Sequence, residues 1–185
     1  MSSEVEICNE ALTAIGANTI LSLSDNIKTA RLCSLKYANK RDYLLRRYIW
    51  NFATKRAVLS SDVDTPDFEF SKQFTLPSDC VQFRELYPNN IAYSIEGRKI
   101  LCEESVLYMK YTAQVTDTNE MDTTFREALS ALLARELAIP LADSVNLYSQ
   151  MDELYEVKLA EAKFAGSIEQ DTEAIEATDW ENSRN

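Results

Sequence analysis

The chain has 185 residues, 45% of them apolar, and a formal net charge of −11 that arises from 30 acidic and 19 basic residues. It contains no histidine, which excludes a Ser-His-Asp or Cys-His nucleophile and any zinc site with a histidine ligand. Three glycines are too few for a glycine-rich phosphate loop. The length is typical of one domain with peripheral arms.

The four cysteines, Cys8, Cys33, Cys80 and Cys102, stand apart in the sequence among apolar neighbours, with no Cys-x-x-Cys pair. We therefore expect buried free thiols in a reducing compartment. The start of the chain lacks the pattern of a secretory signal, and no stretch approaches the length of a membrane span. These features predict assembly in a cytoplasm with no membrane contact, no cofactor, no metal and no catalytic residue.

Charge is distributed unevenly along the chain. Residues 28–56 carry nine Lys or Arg and one acid, whereas residues 117–185 carry sixteen acids and five basic residues. Such polarity can reflect head-to-tail association, in which the basic face of one copy meets the acidic face of the next and a ring closes. It can equally be accidental.

Two helices are predicted in the first third of the chain. Ser2 or Ser3 can cap the first, which reaches about Ala14 before Gly16. The second is expected from Asn26 to Trp50, with Asp25 as its cap. Its apolar residues recur at three- and four-residue spacing and predict one buried stripe. The stripe consists of Tyr37, Leu44, Leu45, Tyr48, Ile49 and Phe52.

Basic side chains are expected outside this stripe. One interpretation is a solvated helix face whose long side chains lie over core aromatics, and the other is a surface that meets an acidic partner. Trp180, in the acidic end of the chain, is either a stray aromatic or an anchor for a partner's groove. The candidate assembly interface comprises Arg41, Arg46, Arg47, Lys55, Arg56 and Trp180.

The middle third of the sequence has the period of two that is typical of strands. Six short runs, from RAVLS to VLYMKYTAQV, are separated by Pro, Asn-Asn and Glu-Gly, and they predict one small antiparallel sheet. Glu96-Gly97 is expected to form a hairpin turn between residues 91–95 and 98–102 because Gly tolerates a positive φ.

Two more helices are predicted in the last third. The third helix starts at Asp122 or Thr123 and is interrupted or kinked by Pro140. The fourth starts at Asp143 or Ser144 and is expected to end at Gly166. The remaining residues carry six acids and few large apolar side chains, so they are expected to be disordered or docked on something else.

The predicted fold is therefore α+β. Residues 1–53 and 120–165 form an antiparallel bundle of about four helices, and residues 54–119 form a small β domain inserted between them. Residues 166–185 form an acidic C-terminal arm.

Several segments, taken in order, resemble the tail tubular protein A family, the head-to-tail adaptors of short-tailed bacteriophages. They are CNEALTAIG at 8–16, ILSLSD at 20–25, RDYLLRRYIWNFA at 41–53, FTLPSDC at 74–80 and the run from 111 to 144. The resemblance covers most of residues 5–165.

The resemblance implies a non-enzymatic structural protein of the virion, located at the head-tail junction. It implies a ring, typically of twelve copies, that binds the portal protein on one side and the nozzle protein of the tubular B type on the other. Genomic DNA would pass through the ring without specific binding. The family has no common catalytic motif to transfer to this chain.

Two alternatives come from other functional classes. One is a tail-associated glycan hydrolase that uses a pair of carboxylates, which requires two facing acids in a cleft. The other is a DNA-binding regulator that uses the basic helix at 28–56, although the acidic remainder of the chain argues against it.

Overall fold

The computed structural model describes residues 3–168, and within them the fold is mixed helix and sheet. The helices are α1 (Glu4–Ala14), α2 (Lys28–Arg47), α3 (Thr123–Ala142) and α4 (Val145–Ile168). The strands are β1 (Thr54–Ser60), β2 (Lys72–Thr75), β3 (Cys80–Tyr87), β4 (Tyr93–Glu96), β5 (Lys99–Cys102) and β6 (Val106–Ala113).

The start of α1 confirms the predicted cap at Ser3. The Ser3 hydroxyl accepts the backbone N–H of Glu6 at 3.1 Å, and the Glu6 carboxylate accepts the backbone N–H of Ser3 at 2.8 Å. This reciprocal pair satisfies two donors that the first turn of a helix leaves free. Gly16, with φ of +69°, then turns the chain away from the helix.

Helix α2 is shorter at both ends than the sequence predicted. Asp25 does not cap it, because its carboxylate instead accepts two backbone N–H groups of the preceding turn, each at 3.0 Å. The N-cap is Ile27. At the other end the backbone of Tyr48 is extended and stops the helix at Arg47. Ile49, predicted on the buried stripe, follows this stop and is exposed.

The strands form two three-stranded antiparallel sheets, where the sequence predicted one. The first sheet has the order β1-β6-β3 and the second has the order β2-β5-β4. An alternating pattern predicts which face of a strand is buried but does not determine which strands pair, and for that reason the single-sheet prediction was wrong. The two sheets enclose a shared apolar cluster in which Phe74, Ile100 and Leu107 are fully buried.

The hairpin predicted at Glu96-Gly97 is confirmed. Strands β4 and β5 pair with Glu96 opposite Lys99. Gly97 has φ of +60°, a conformation that side chains with a Cβ rarely adopt.

Helix α3 is the centre of the helical part, since it packs against α1, α2 and α4. It starts at Thr123 as predicted and continues two residues beyond Pro140. Asp143, in the left-handed conformation with φ of +49°, then turns the chain into α4. Gly166 does not end α4 as predicted, because it lacks a positive φ and the helix continues to Ile168, the last described residue.

Trp50 joins the helical part to the first sheet. Its indole N–H donates to the Leu44 carbonyl in the last turn of α2 at 2.9 Å. Its ring meets Phe125 of α3 edge to face, with ring centroids 4.9 Å apart. Both rings belong to the helical core. The corner before β1 is therefore held by a buried aromatic contact and a hydrogen bond.

Candidate assembly surface

Arg41 does not lie on the predicted surface. Only 5% of the residue is exposed, its Nε donates to Asp42 Oδ1 at 2.9 Å, and its guanidinium lies 6.0 Å from the Tyr37 ring centroid. The reason is its position in α2, because Arg41 follows Tyr37 by one helical turn and shares the buried stripe. We therefore remove Arg41 from the candidate interface residues.

Arg46 and Arg47 are exposed, as predicted, at the end of α2. Arg46 Nη1 donates to the carbonyl of Val81 in β3 at 2.8 Å. Arg47 Nη1 donates to the Tyr43 hydroxyl at 2.9 Å, and the Arg47 guanidinium lies 5.6 Å from the Tyr48 ring centroid. Carbonyl and ring contacts orient both guanidinium groups without neutralising them.

Two further cations lie beside Tyr48, and sequence reasoning missed both. Lys163 of α4 places its ammonium 3.8 Å from the Tyr48 ring centroid. Arg84 of β3 donates to the Tyr48 carbonyl and, at 2.8 Å, to the hydroxyl of Thr112. Arg84 is at an irregularity in the pairing of β3 with β6, and such bulges re-aim side chains. No signal in the sequence predicted where that irregularity lies.

We name Arg46, Arg47, Arg84 and Lys163 the basic corner. Within residues 3–168, no carboxylate forms an ion pair with any of the four. Burial, together with the nearby Arg46 cation, lowers the pKa of Arg84. Four cations held close together without a described counter-charge favour contact with an acidic surface.

Lys55 and Arg56 have different surroundings, although they are adjacent in β1. The Lys55 ammonium forms an ion pair with the Asp79 carboxylate at 3.0 Å, so its charge is already balanced by a described residue. Arg56 is exposed and stands in register with Lys110 of β6, which is itself paired with Glu85 at 3.0 Å. Of these two predicted residues, only Arg56 offers a charge that no described carboxylate pairs.

Next to Arg56, the first sheet carries an apolar row on its outward face. Val58, Tyr108 and Tyr87 stand in register across β1, β6 and β3, and all three are exposed, Tyr87 by 75%. We name these three residues the outer row. It borders a shallow pocket that is also lined by Arg56. Contiguous exposed apolar and aromatic side chains beside charges are typical of a protein contact.

The alternation of the segment LYMKY in β6 could have placed Tyr108 and Lys110 on one face. Tyr87 and Val58 join that face only through the pairing register, which the sequence does not specify. The outer row was therefore missed.

All four cysteines are free and buried, which confirms the prediction for the thiols. Cys8 and Cys33 nevertheless lie together in the helical core. A hydrogen bond to Cys33, with burial, raises the pKa of the Cys8 thiol. Because both thiols are buried in the helical core, we assign this pair to the packing of α1 on α2.

The part of the chain that the structure describes holds no group of three or more Cys, Asp or Glu residues placed to bind a metal ion. Among the described carboxyl groups, those whose pKa is displaced are shifted downward: Asp62, Asp79, Glu103, Asp117 and Glu136. A general acid needs the opposite shift. None of the helices within residues 3–168 combines the length and apolar character needed to cross a bilayer.

Trp180 and the acidic segment after Ile168 lie outside the described residues. The predictions made for them stay predictions. No model of a known protein family matches this sequence, and no curated protein matches it significantly.

Proposed function

We propose that this chain is a structural protein of a virion, a head-to-tail adaptor that assembles as a ring of twelve copies between the portal and the tail nozzle. The observation that carries the proposal is the ordered series of segments across residues 5–165 that resemble the tail tubular protein A family. The described fold supports it, because a β-rich segment lies between helices in the same chain order.

In this proposal the four helices act as an antiparallel bundle that forms the wall of the ring. The central position of α3, in contact with the other three helices, supports this arrangement. The two sheets, inserted as residues 54–119, project toward the nozzle protein. The outer row supplies the apolar contact there, and Arg56 lies at its margin.

The basic corner contacts an acidic surface in the assembled ring or on the portal. Its cations have no described carboxylate partner, whereas the chain as a whole has a net charge of −11. An acidic ring disfavours adhesion of DNA to its channel, so the genome slides past without specific binding.

The test reverses the two corner charges that the sequence predicted. The variant Arg46→Glu/Arg47→Glu should lose ring or portal association while its far-UV circular dichroism stays that of the folded chain. The matched control is Arg46→Lys/Arg47→Lys, which keeps the charge and should still assemble. Native mass spectrometry, with the chain alone and with the portal protein of the genome that encodes it, gives the stoichiometry of each.

Two outcomes contradict different parts of the proposal. Unchanged assembly of the charge-reversed variant removes the two arginines from the interface. A wild-type chain that stays monomeric both alone and with portal overturns the adaptor function itself.

A further inference from the structure

The last three turns of α4 are apolar on two opposite faces. Tyr155, Leu159 and Ala162 form a buried line that faces the helical core. On the other side, four apolar residues follow one another at spacings of three, four and four and form a line about 16 Å long, at a rise of 1.5 Å per residue. We name this line the α4 stripe, and its members are Val157, Ala160, Phe164 and Ile168.

The α4 stripe is exposed to solvent. Phe164 is 69% exposed, and Val157 and Ile168 are exposed as well. A surface helix normally places polar and charged residues opposite its buried face, and a helix that is apolar all round is normally buried. No described element covers the stripe, so the single chain leaves an apolar helix face without a partner.

Two carboxylates without an ion pair among the described residues lie at the start of the stripe. Glu153 is exposed one turn before the stripe begins, and Glu156 is exposed directly before Val157, the first residue of the stripe. Within residues 3–168 neither carboxylate forms an ion pair. The stripe therefore fits a surface that is apolar and positively charged.

The first half of α2 carries such a surface. Leu35 is 67% exposed, Ile27 at the N-cap is exposed, and both lie among exposed basic residues. Arg31 has no carboxylate partner among the described residues, and Lys28 donates to the Pro140 carbonyl at 2.6 Å. We name Ile27, Lys28, Arg31 and Leu35 the α2 patch. It points away from the buried line of α2 that contains Cys33 and Tyr37.

We propose that the α4 stripe of one copy packs against the α2 patch of a neighbouring copy, with Glu153 and Glu156 facing Lys28 and Arg31. The two surfaces belong to different helices, and each faces away from the core of its own chain. A contact between unlike surfaces is heterologous, so it repeats from copy to copy and can close a ring. This inference rests on the proposed function and names the surfaces between its subunits.

The direct test is thiol cross-linking between separately made chains. All four native cysteines are buried, so a thiol introduced at an exposed position reacts first. A mixture of Leu35→Cys and Phe164→Cys chains, treated with a bismaleimide at assembly concentration, should give a covalent dimer. Each variant alone should not, and the double variant should give a ladder that ends at the ring. Val63→Cys, at a fully exposed position outside every surface named here, is the control that should not cross-link to either chain.

Aspartate variants give an independent readout. Leu35→Asp and Phe164→Asp should remain folded by circular dichroism but lose at least tenfold in the assembled fraction measured by native mass spectrometry. Val63→Asp, the same change at an exposed apolar residue outside every surface named here, should assemble as the wild type does.

The outcomes separate this inference from the proposed function. A wild-type ring with no unlike cross-link, or a ring formed equally by the aspartate variants, overturns the α4–α2 contact and leaves the adaptor function standing. A cross-link between like positions, such as 35 to 35, also overturns it, because it indicates a two-fold contact. A wild-type chain that never assembles overturns both.

Discussion

Replacement of Trp50 tests the account of the corner between the helices and the first sheet. The side chain is buried, donates to the Leu44 carbonyl at 2.9 Å and meets the Phe125 ring at 4.9 Å. Trp50→Phe keeps a ring against Phe125 but removes the donor, whose net contribution is about 1 kcal/mol. The smaller ring also leaves a small void, so we expect a loss of about 1–2 kcal/mol in the free energy of unfolding.

Trp50→Ala removes the ring itself, and such truncations of a core aromatic cost about 3–5 kcal/mol. This is a large fraction of the roughly 5–15 kcal/mol that stabilises a typical domain. Urea titration followed by far-UV circular dichroism measures both variants without relying on the lost fluorophore. Tyr108→Phe, a change in an exposed ring, is the control, and its loss in the free energy of unfolding should be near zero. A loss for Trp50→Phe no larger than that of the control refutes the reasoning.

Three further predictions concern backbone conformation, capping and pH. Gly97→Ala should lower the free energy of unfolding by about 1 kcal/mol, because alanine is strained at a φ of +60°. Gly166→Ala should raise it by about as much, because Gly166 lies inside α4 and nothing lies within 4 Å of an added Cβ. Ser3→Ala should cost about 1 kcal/mol through the lost capping box. Burial raises the pKa of Tyr111 and of Tyr155 to about 12 each from 10.0, so the folded state holds these protons longer than the unfolded state. Stability should therefore fall as the pH rises from 10 toward 12.

Each of these three predictions would be contradicted by one result. Losses at both glycines would show that Gly166 is not an unstrained helical position. A Ser3→Ala variant as stable as the wild type would show that the cap at Ser3 does not stabilise the folded chain. Urea midpoints that stay constant across the alkaline range, while tyrosinate absorbance rises, would contradict the buried environment of the two tyrosines.

Local chemistry made part of the fold predictable. The cap at Ser3 and the turn at Gly97 depend on residues within three positions of one another, and both predictions are confirmed. Asp25 failed as a helix cap because a second local arrangement, the turn before it, uses the same carboxylate. Two local structures can compete for one acceptor, and the sequence alone does not decide between them.

The candidate surface was harder to predict because it is assembled from distant segments. Arg46 and Arg47 were placed correctly on the exterior, since they fall off the apolar stripe of α2, and Arg56 of β1 is exposed as well. Arg41 was misplaced because its aliphatic stem and paired guanidinium let it occupy the stripe. Arg84 joins Arg46 across 38 positions only through the pairing of β3, which periodicity does not reveal.

The adaptor function is tested most directly by the mass of the purified chain, alone and mixed with the portal protein of the genome that encodes it, measured by native mass spectrometry. We expect a ring, or a portal complex of fixed high stoichiometry with twelve copies of this chain. A persistent monomer that ignores the portal would contradict it and return attention to the hydrolase and DNA-binding alternatives.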